Sequence, residues 1–458
     1  MSSTSTLDIA PFLAKTSKLW KTCGIRGLFS LQNIPGMISL VAGLPNPTTF
    51  PFESITVKLR PTLQGLPAAA DGADPLTLTL EGAQLSEAMQ YGMTAGAARF
   101  IEWLEGFQTH VHKRAPNDSW SVTVGSGSQD LMYKACQSLI DEGDFVLLEA
   151  PTYAGVLAFF AALPCTLIEV NTDSQGLDPA SLQSILSSWE TTHAGKPYPK
   201  FMYTTPSGSN PTGTSIPEAR KVEVLKLAKK YNFLVLEDDA YAFLYYGPER
   251  ERARSYFALE PEVNGEQGRV VRFDSFSKVL SSGMRLGFMT AHPRLAAVVN
   301  IITSNTNLQP NSLAQIMAHA LLARWGPTGF LTHCREVAAL YRTRRDAFEC
   351  VAKKYLTGLA EWTSPIAGMF LYIKLLVHAD GRPTDSAALV PRAVARGVLA
   401  VPGTAFMPLG GPTPFVRISF SVVEEKDAEE ACRRLRDVIL EARAEAEAEA
   451  AVHAQMRK

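Results

Sequence analysis

Residues 274–287 read DSFSKVLSSGMRLG and set one lysine, Lys278, among small hydroxyl residues, with an arginine seven positions later. Apolar runs at 270–273 and 286–289 precede and follow this stretch. Apolar runs of that length, bounded by Gly and Ser, are typical of buried strands. We therefore predict that Lys278 lies on a tight connection between two strands of an α/β domain. Burial there would lower the pKa of its amine and leave it nucleophilic.

Three neighbours of Lys278 suit a phosphate group. Ser275 and Ser277 offer hydroxyl donors, and Arg285 adds a fixed positive charge. A lysine that can form a Schiff base beside a phosphate site is what pyridoxal phosphate requires. From this stretch alone, a solvated loop with a surface lysine and a surface arginine is an equally good interpretation. The rest of the sequence is needed to decide between the cofactor site and the surface loop.

Length and composition narrow the class of protein. The chain has 458 residues, more than one hydrophobic core usually holds, so we expect two domains. A hydrophobic content of 46%, a charged content of 19% and a net charge of −1 are ordinary for a soluble enzyme and indicate no nucleic-acid partner. No apolar run approaches the roughly 20 residues of a membrane span, so no membrane association is expected.

Cysteine and histidine usage indicates a reducing compartment. The six cysteines include no CxxC pair and the eight histidines lack metal spacing, so we predict no metal site. We expect the enzyme in the cytoplasm. Serine, threonine and Lys15, Lys18 and Lys21 near the N-terminus keep the mitochondrion as an alternative.

Strand-like apolar runs alternate with helical patterns through the middle of the chain. They lie at 122–124, 145–149, 166–170, 201–204, 233–237, 270–273 and 286–290. Such alternation predicts an α/β domain with a mostly parallel, seven-stranded sheet between helices. After about residue 325 a long helical stretch, two strands and an Ala/Glu-rich tail predict a smaller α+β domain. We divide the chain into an arm with part of the small domain (1–65), a large cofactor-binding domain (66–322) and a C-terminal small domain with a helical tail (323–458).

Four local patterns give further predictions. Residues 38–47 indicate a short strand that ends in a turn, and 64–77 indicate a loop. Ser215 and Glu218 have the spacing of a capping box for a helix that reaches Tyr231. Residues 384–396 are expected to form a helix.

Polar residues follow several predicted strands, at the edge where open α/β sheets form their sites. Ser128 and Gln129 lie between a strand and a helix, where backbone N–H groups attract a phosphate. Asp238 ends an apolar strand, where a buried acid is costly unless it pairs with a cation such as a pyridinium nitrogen. A helix-capping aspartate is the alternative interpretation.

Three other polar or aromatic residues allow both a functional and a structural interpretation. Asn210 can donate to a ring hydroxyl or belong to a plain Asn-Pro turn. Tyr153 can stack on a cofactor ring or pack in the core. Arg417, within an apolar strand, can hold a substrate carboxylate or form a structural salt bridge.

The ordered set of motifs resembles class I pyridoxal-phosphate-dependent aminotransferases of fold type I, over roughly residues 20–435. The motifs are SFSK at 275–278 with Arg285, NPTG at 210–213, Asp238 with Tyr241, and Arg417. The chain is most similar to the kynurenine/2-aminoadipate and fungal aromatic-amino-acid branch. That narrower likeness is carried by ISLVAGLPNP at 38–47, FPF at 50–52, QY at 90–91 and AGMFLYIK at 367–374.

The resemblance implies a role for each matching residue. Lys278 binds pyridoxal 5'-phosphate and moves a proton, Asp238 pairs with the pyridine nitrogen, and Tyr153 stacks on the ring. Asn210 and Tyr241 bind the ring hydroxyl. The phosphate is held by Ser128, Gln129, Ser275, Ser277 and Arg285, with Tyr91 from the partner subunit of a homodimer. The substrate is contacted by Arg417, Arg26, Gly43, Leu44, Phe370 and Asn210.

The activity implied is transamination from an aromatic amino acid, 2-aminoadipate or kynurenine to 2-oxoglutarate, by a ping-pong mechanism. Val41 and Ala42 stand where the branch usually has Ala and Gly, which leaves the shape of the substrate pocket open. A lyase or decarboxylase that uses the same cofactor is one alternative, because fold does not fix reaction type. A ligand-sensing regulator is the other, although no basic recognition helix precedes the resemblance.

Overall fold

The structure is a computed structural model that describes residues 5–22, 24–25, 28, 31, 34–38, 40–41, 43–60, 77–378 and 384–456. In chain order the strands are β1 (Ser5–Thr6), β2 (Ser54–Lys58), β3 (Thr77–Glu81), β4 (Ser121–Gly125), β5 (Asp144–Ala150), β6 (Cys165–Asp173), β7 (Gly176–Leu177), β8 (Phe201–Thr204), β9 (Leu234–Asp238), β10 (Glu266–Gln267), β11 (Val270–Ser275), β12 (Gly287–Ala291), β13 (Ala360–Trp362), β14 (Phe370–Leu375), β15 (Val401–Pro402) and β16 (Phe415–Ser419).

The helices, in the same order, are α1 (Gly82–Met89), α2 (Ala98–His112), α3 (Ser128–Leu139), α4 (Ala154–Phe160), α5 (Pro179–Ser187), α6 (Trp189–Thr192), α7 (Glu218–Tyr231), α8 (Tyr256–Asn264), α9 (Pro293–Thr306), α10 (Ser312–Leu356), α11 (Val390–Ala395) and α12 (Glu425–Met456). Helix α10 is broken at Gly326, whose φ of 64° and ψ of 174° are not helical. Within the described residues, no helix is both long and apolar enough to cross a bilayer.

The central sheet has the strand order β4-β12-β11-β9-β8-β5-β6-β7. Neighbouring strands from β6 to β11 pair in parallel, whereas β12 runs antiparallel to both β11 and β4. The prediction of an α/β fold with a mostly parallel sheet is therefore confirmed. All seven predicted strands overlap observed ones, and the eighth is β7, a two-residue strand too short to give a pattern.

Apolar clusters cover the sheet on both faces. Along β9, Leu234 and Leu236 belong to the cluster packed with α3 and α9, whereas Val235 belongs to the opposite cluster with α2 and α7. Because side chains alternate along a strand, Asp238 faces the α3 side and its two acidic neighbours face the other. This alternation places Asp238 where the active-site candidate lies.

A second, antiparallel sheet has the order β13-β14-β16-β15. The two strands that the sequence predicts after residue 325, at 369–373 and 416–420, overlap β14 and β16. The division of the chain into domains at residues 65/66 and 322/323 stays a prediction. An antiparallel pair, β2 with β3, was not predicted.

Several local predictions differ from the structure. No strand forms among the described residues of 38–47, and the expected loop at 64–77 lies almost entirely outside the described residues. The capping-box prediction was wrong: α7 starts after Pro217, and the Ser215 hydroxyl instead accepts a hydrogen bond from the backbone N–H of Gly208 at 3.0 Å. The helix expected at 384–396 is a 3₁₀ turn (Ser386–Leu389) followed by α11.

A fully buried arginine joins the carboxyl ends of β9 and β11. Arg272 lies 3.2 Å from Glu237, 2.9 Å from Asp239 and 2.7 Å from Asp274, and the last contact is bidentate. Glu237 also accepts hydrogen bonds from the backbone N–H groups of Tyr256 and Phe257. One cation thus neutralises part of a buried acidic cluster that would otherwise push two neighbouring strands apart.

We predict that Arg272→Met lowers the free energy of unfolding of the protein by about 3–5 kcal/mol, because it leaves buried carboxylates without their partner. Urea unfolding followed by tryptophan fluorescence measures the loss. The matched control is Arg254→Met, which breaks more exposed ion pairs with Glu218 and Glu262 and should cost at most about 1 kcal/mol. Equal losses in the two variants would contradict the structural role of Arg272.

Candidate active site

A cavity of about 350 Å³ opens at the carboxyl ends of the parallel strands. Its lining includes twelve of the residues singled out in the sequence: Ser128, Gln129, Tyr153, Asn210, Asp238, Tyr241, Ser275, Ser277, Lys278, Arg285, Phe370 and Arg417. Met132, Thr205, Ala240 and Ser282 complete the lining and were not predicted. A larger cavity of about 1020 Å³ is lined by Lys221, Asp239 and Arg272 and does not include Lys278.

Lys278 lies directly after β11, on the connection to β12, as expected from the sequence. Burial lowers the pKa of its amine, and the positive charges of Arg285 and Arg417 lower it further, while Asp238 acts in the opposite direction. The amine is 5.8 Å from the centre of the Tyr241 ring. A lysine in this setting carries a larger share of free, nucleophilic amine near neutral pH than an exposed one.

Asp238 ends β9 and is buried on the cavity side. Its Oδ2 accepts a hydrogen bond from the Tyr203 hydroxyl at 2.6 Å, and its Oδ1 has no partner among the described residues. Burial raises the pKa of this carboxyl to about 7. The Tyr203 hydrogen bond and Lys278 lower it, whereas Asp239 and Asp274 raise it. A buried carboxylate oxygen without a partner beside a cavity is a ready acceptor for a cationic N–H group.

The start of α3 and the guanidinium of Arg285 form a site for an anion. Helix α3 begins at Ser128, where N–H groups are free and the helix dipole favours negative charge. Among the described residues, the hydrogen bonds of Arg285 go to neutral oxygens: the Ser277 hydroxyl at 3.3 Å and the carbonyls of Ser282 and Ser126 at 3.0 and 3.4 Å. Gly127 has φ of +92°, and a Cβ atom on it would collide with this guanidinium. Glycine therefore keeps the anion site open.

Arg417 approaches the cavity from the second sheet, on β16. Its Nη1 donates to Oδ1 of Asn210 at 2.9 Å, and its Nε has no partner among the described residues. The guanidinium lies 4.5 Å from the centre of the Phe370 ring and 5.1 Å from that of Phe406. Arg417 forms no salt bridge with the residues that the structure describes, which suits its charge to an anionic ligand.

Two tyrosines complete the aromatic side of the cavity. Tyr153 precedes α4. Burial raises the pKa of its hydroxyl, and the negative charge of Asp238 raises it further. Tyr241 is buried and meets the Phe370 ring edge to face at 6.0 Å. Burial and Asp238 also raise the pKa of Tyr241, so both hydroxyls are neutral near pH 7.

Three predicted site residues that the structure describes do not line this cavity. Tyr91 is 53% exposed after α1, and Gly43 and Leu44 are exposed in the N-terminal stretch. Arg26 lies outside the described residues. Tyr203 is the contact that could have been expected from the sequence and was missed, because the hydroxyl of a buried tyrosine on a strand usually has a hydrogen-bond partner. Within the described residues, no group of three or more His, Cys, Asp or Glu side chains could hold a metal ion.

The residues present fit pyridoxal phosphate. The unpartnered Oδ1 of Asp238 suits a protonated ring nitrogen, and the anion site at Ser128 and Arg285 suits a phosphate. Lys278, with its lowered pKa, lines the same cavity.

The raised pKa of Asp238 gives a pH-dependent prediction for the protein without added cofactor. The folded-state pKa of about 7 lies above the ordinary value of 3.8, so the stability this carboxyl contributes is present below about pH 4 and is lost as pH rises through 7. We therefore expect Asp238→Asn to be more stable than the wild type at pH 8, on the order of a few kcal/mol, since one pKa unit corresponds to about 1.4 kcal/mol. The gain should fade towards pH 5.

Thermal unfolding at the two pH values measures this difference. Asp118→Asn, at an exposed carboxyl, is the matched control and should change stability little at either pH. A gain for Asp238→Asn that is the same at pH 5 and pH 8 would show that Asp238 is not the group that titrates.

The chain matches the family model for aminotransferases of class I and II over residues 76–435. It is 47% identical over 433 residues to aminotransferase tdiD of Emericella nidulans, covering 94% of this chain and 96% of the relative. It is 34% identical over 448 residues to mitochondrial kynurenine/alpha-aminoadipate aminotransferase of Bos taurus, covering 95% of this chain and 100% of the relative. Among solved structures it is similar to aminotransferase Aro8 of Candida albicans, with a TM-score of 0.83, 25% identity, and coverage of 96% of this chain and 99% of that chain.

These similarities extend over nearly the whole chain and agree with the buried lysine, the unpartnered aspartate oxygen and the anion site. The lyase and regulator alternatives receive no support from them. The chain belongs to the class I and II aminotransferases, pyridoxal-phosphate enzymes of fold type I that act on an amino acid and a 2-oxo acid.

Proposed function

We propose that this enzyme transfers the amino group of an aromatic amino acid to 2-oxoglutarate by a ping-pong mechanism, with kynurenine and 2-aminoadipate as the alternative donors. One observation carries the proposal: Lys278, Asp238 and Arg417 line a single cavity whose other walls include Tyr153, Tyr241 and Phe370. The bovine relative is named for kynurenine and aminoadipate, and kynurenine carries an aromatic ring.

Pyridoxal phosphate, when bound, supplies an electron sink for the bond that breaks at the substrate Cα. Lys278 is the base that removes the Cα proton, because its lowered pKa keeps free amine available near neutral pH. Asp238 would hold the ring nitrogen through its free Oδ1. The phosphate would be held by Ser128, Gln129, Ser275, Ser277 and Arg285.

The remaining cavity residues orient the two ligands. Asn210 and Tyr241 would bind the ring hydroxyl, and Tyr153 would lie against the ring face. Arg417 would hold the substrate α-carboxylate with its planar fork of donors. Phe370, which lines the cavity and lies beside this guanidinium, offers an apolar surface that favours an aromatic side chain over an acidic one. Arg26, Gly43 and Leu44 stay predicted contacts of the substrate side chain.

The donor prediction is tested with the enzyme loaded with pyridoxal phosphate and 2-oxoglutarate as the acceptor. We expect glutamate to form fastest, by kcat/KM, from phenylalanine, tyrosine, tryptophan or kynurenine, because their rings can contact Phe370. Lys278→Ala is the control and should lose turnover and the visible absorbance of the lysine-bound cofactor. Glutamate formation by Lys278→Ala would contradict the role of Lys278, and a preference for 2-aminoadipate would reassign the donor.

The proposed assembly is a homodimer in which Tyr91 reaches the partner's active site. Tyr91 is half exposed and does not line the cavity of its own chain. The N-terminal stretch also exposes apolar side chains, including Ile38 at 87% and Leu40 at 95%. Apolar surface of this kind often marks a protein–protein contact. We propose the cytoplasm as the compartment, with the mitochondrion, where the bovine relative is placed by its name, as the alternative.

Light scattering should give a mass about twice the 49.8 kDa of one chain.

We expect Tyr91→Phe to weaken pyridoxal phosphate binding about tenfold, the effect of losing one hydrogen bond to a charged group. Co-expression of Tyr91→Phe with Lys278→Ala then tests whether Tyr91 acts in the partner's active site. A hybrid dimer pairs an intact Lys278 with an intact Tyr91 from the other chain, so one tight, active site should return. Hybrids that bind the cofactor as weakly as Tyr91→Phe would place Tyr91 in its own subunit's site.

A further inference from the structure

The Tyr203 hydroxyl meets Asp238 from the neighbouring strand. Tyr203 lies on β8 and pairs in register with Leu236 of β9, and both side chains belong to the apolar cluster on the α3 side. Asp238 is two residues further along β9 on the same face, within diagonal reach of a long side chain. The 2.6 Å hydrogen bond from Tyr203 to Asp238 is therefore set by the register of two parallel strands.

This contact makes the two oxygens of Asp238 unequal. Oδ2 is taken by Tyr203, which is almost fully buried, and Oδ1 has no partner among the described residues. Asp238 itself lines the cavity, whereas Tyr203 does not. Because the carboxyl group is planar, the hydrogen bond that holds Oδ2 also fixes the direction in which Oδ1 points.

We propose that Tyr203 is a positioning residue that fixes Asp238 so that its free oxygen meets the ring nitrogen of the bound cofactor. This inference depends on the proposed function of Asp238. Tyr203 touches neither the substrate nor the cofactor and acts only through the aspartate. Tyr203 is thereby the residue that orients the buried carboxylate of Asp238.

The charges around Asp238 show why the hydrogen bond donated by the Tyr203 hydroxyl matters. Burial, Asp239 and Asp274 raise the pKa of Asp238, whereas the Tyr203 hydrogen bond and the Lys278 amine lower it. Tyr153, which precedes α4, also faces this carboxyl and is neutral near pH 7. Without the Tyr203 hydroxyl, the carboxyl holds its own proton more tightly and accepts a hydrogen bond less well.

A purely structural role is the competing explanation. A buried tyrosine hydroxyl usually has a hydrogen-bond partner, and Asp238 provides one here. Tyr203→Phe keeps the ring in the core and removes only the hydroxyl, so it separates packing from positioning. Tyr355→Phe is a chemically matched control, because the Tyr355 hydroxyl also donates to a carboxylate, Glu429, at 2.7 Å and lies away from the cavity.

The test uses the protein loaded with pyridoxal phosphate. For Tyr203→Phe we expect cofactor binding to weaken about tenfold, since a hydrogen bond to a charged group typically contributes about that factor. The midpoint of the pH titration of the visible absorbance should move upward by about one unit, because a less anionic Asp238 leaves less positive charge on the ring. In turnover, kcat should fall while KM for the amino donor changes less than about twofold. Tyr355→Phe should leave all three quantities unchanged.

A double-mutant cycle on the cofactor dissociation constant tests whether Tyr203 acts through Asp238. In an Asp238→Asn background, Tyr203→Phe should change the constant by less than about twofold, because the carboxylate it positions is gone. An unchanged spectral midpoint in Tyr203→Phe, or the same loss of affinity in both backgrounds, would overturn the inference. The spectra and affinities need no amino donor. They therefore stay readable even if the wild type forms no glutamate, the result that would overturn the proposed function.

Discussion

Arg272 lies between the carboxyl ends of two neighbouring parallel strands and pairs there with Glu237, Asp239 and Asp274. Parallel strands bring their carboxyl ends to the same edge of the sheet, and here that edge carries several buried acids. Removing such acids from water is costly unless a cation accompanies them. The guanidinium of Arg272 supplies that cation on the α2 side of the sheet, so the strand ends can stay together and support the loops that follow them.

The same strand end serves the site through its alternating side chains. Glu237 and Asp239 face Arg272, while Asp238 between them faces the cavity and Lys278. The acids that pair with Arg272 and the acid of the active site are therefore neighbours in the chain but face opposite sides of the sheet. The cluster behind the sheet also acts through space, because Asp239 and Asp274 raise the pKa of Asp238.

Much of this arrangement could be predicted from the sequence, for identifiable reasons. Six of the seven main strands are almost entirely buried, and all seven appear as largely apolar runs. Twelve site residues could be named because their order in the chain resembles one family. Strands β2 and β3 were missed although SITVK and TLTLE alternate as half-buried strands do. Ser215 was misassigned because spacing alone cannot show that its hydroxyl already serves Gly208.

Other features could not be predicted because they depend on contacts across the sheet. Tyr203 is one apolar-looking residue of the FMYT strand, and only the register of β8 with β9 shows that its hydroxyl reaches Asp238. Tyr91, Gly43 and Leu44 lie away from the cavity of their own chain, so a single chain cannot test their predicted roles.

The hydrogen bond between Arg417 and Asn210 has a consequence for what the cavity can recognise. Arginine only donates, so Asn210 must turn its amide oxygen towards Arg417 and leave its NH₂ group as the free end. Hydroxyl groups aside, the donors of the lining are this NH₂ group together with Lys278, Arg285 and Arg417, and its carboxylate acceptor is Asp238. The unpartnered amide oxygen of Gln129 is a second acceptor in the described lining. The described lining therefore suits a ligand that carries both negatively charged oxygens and N–H groups.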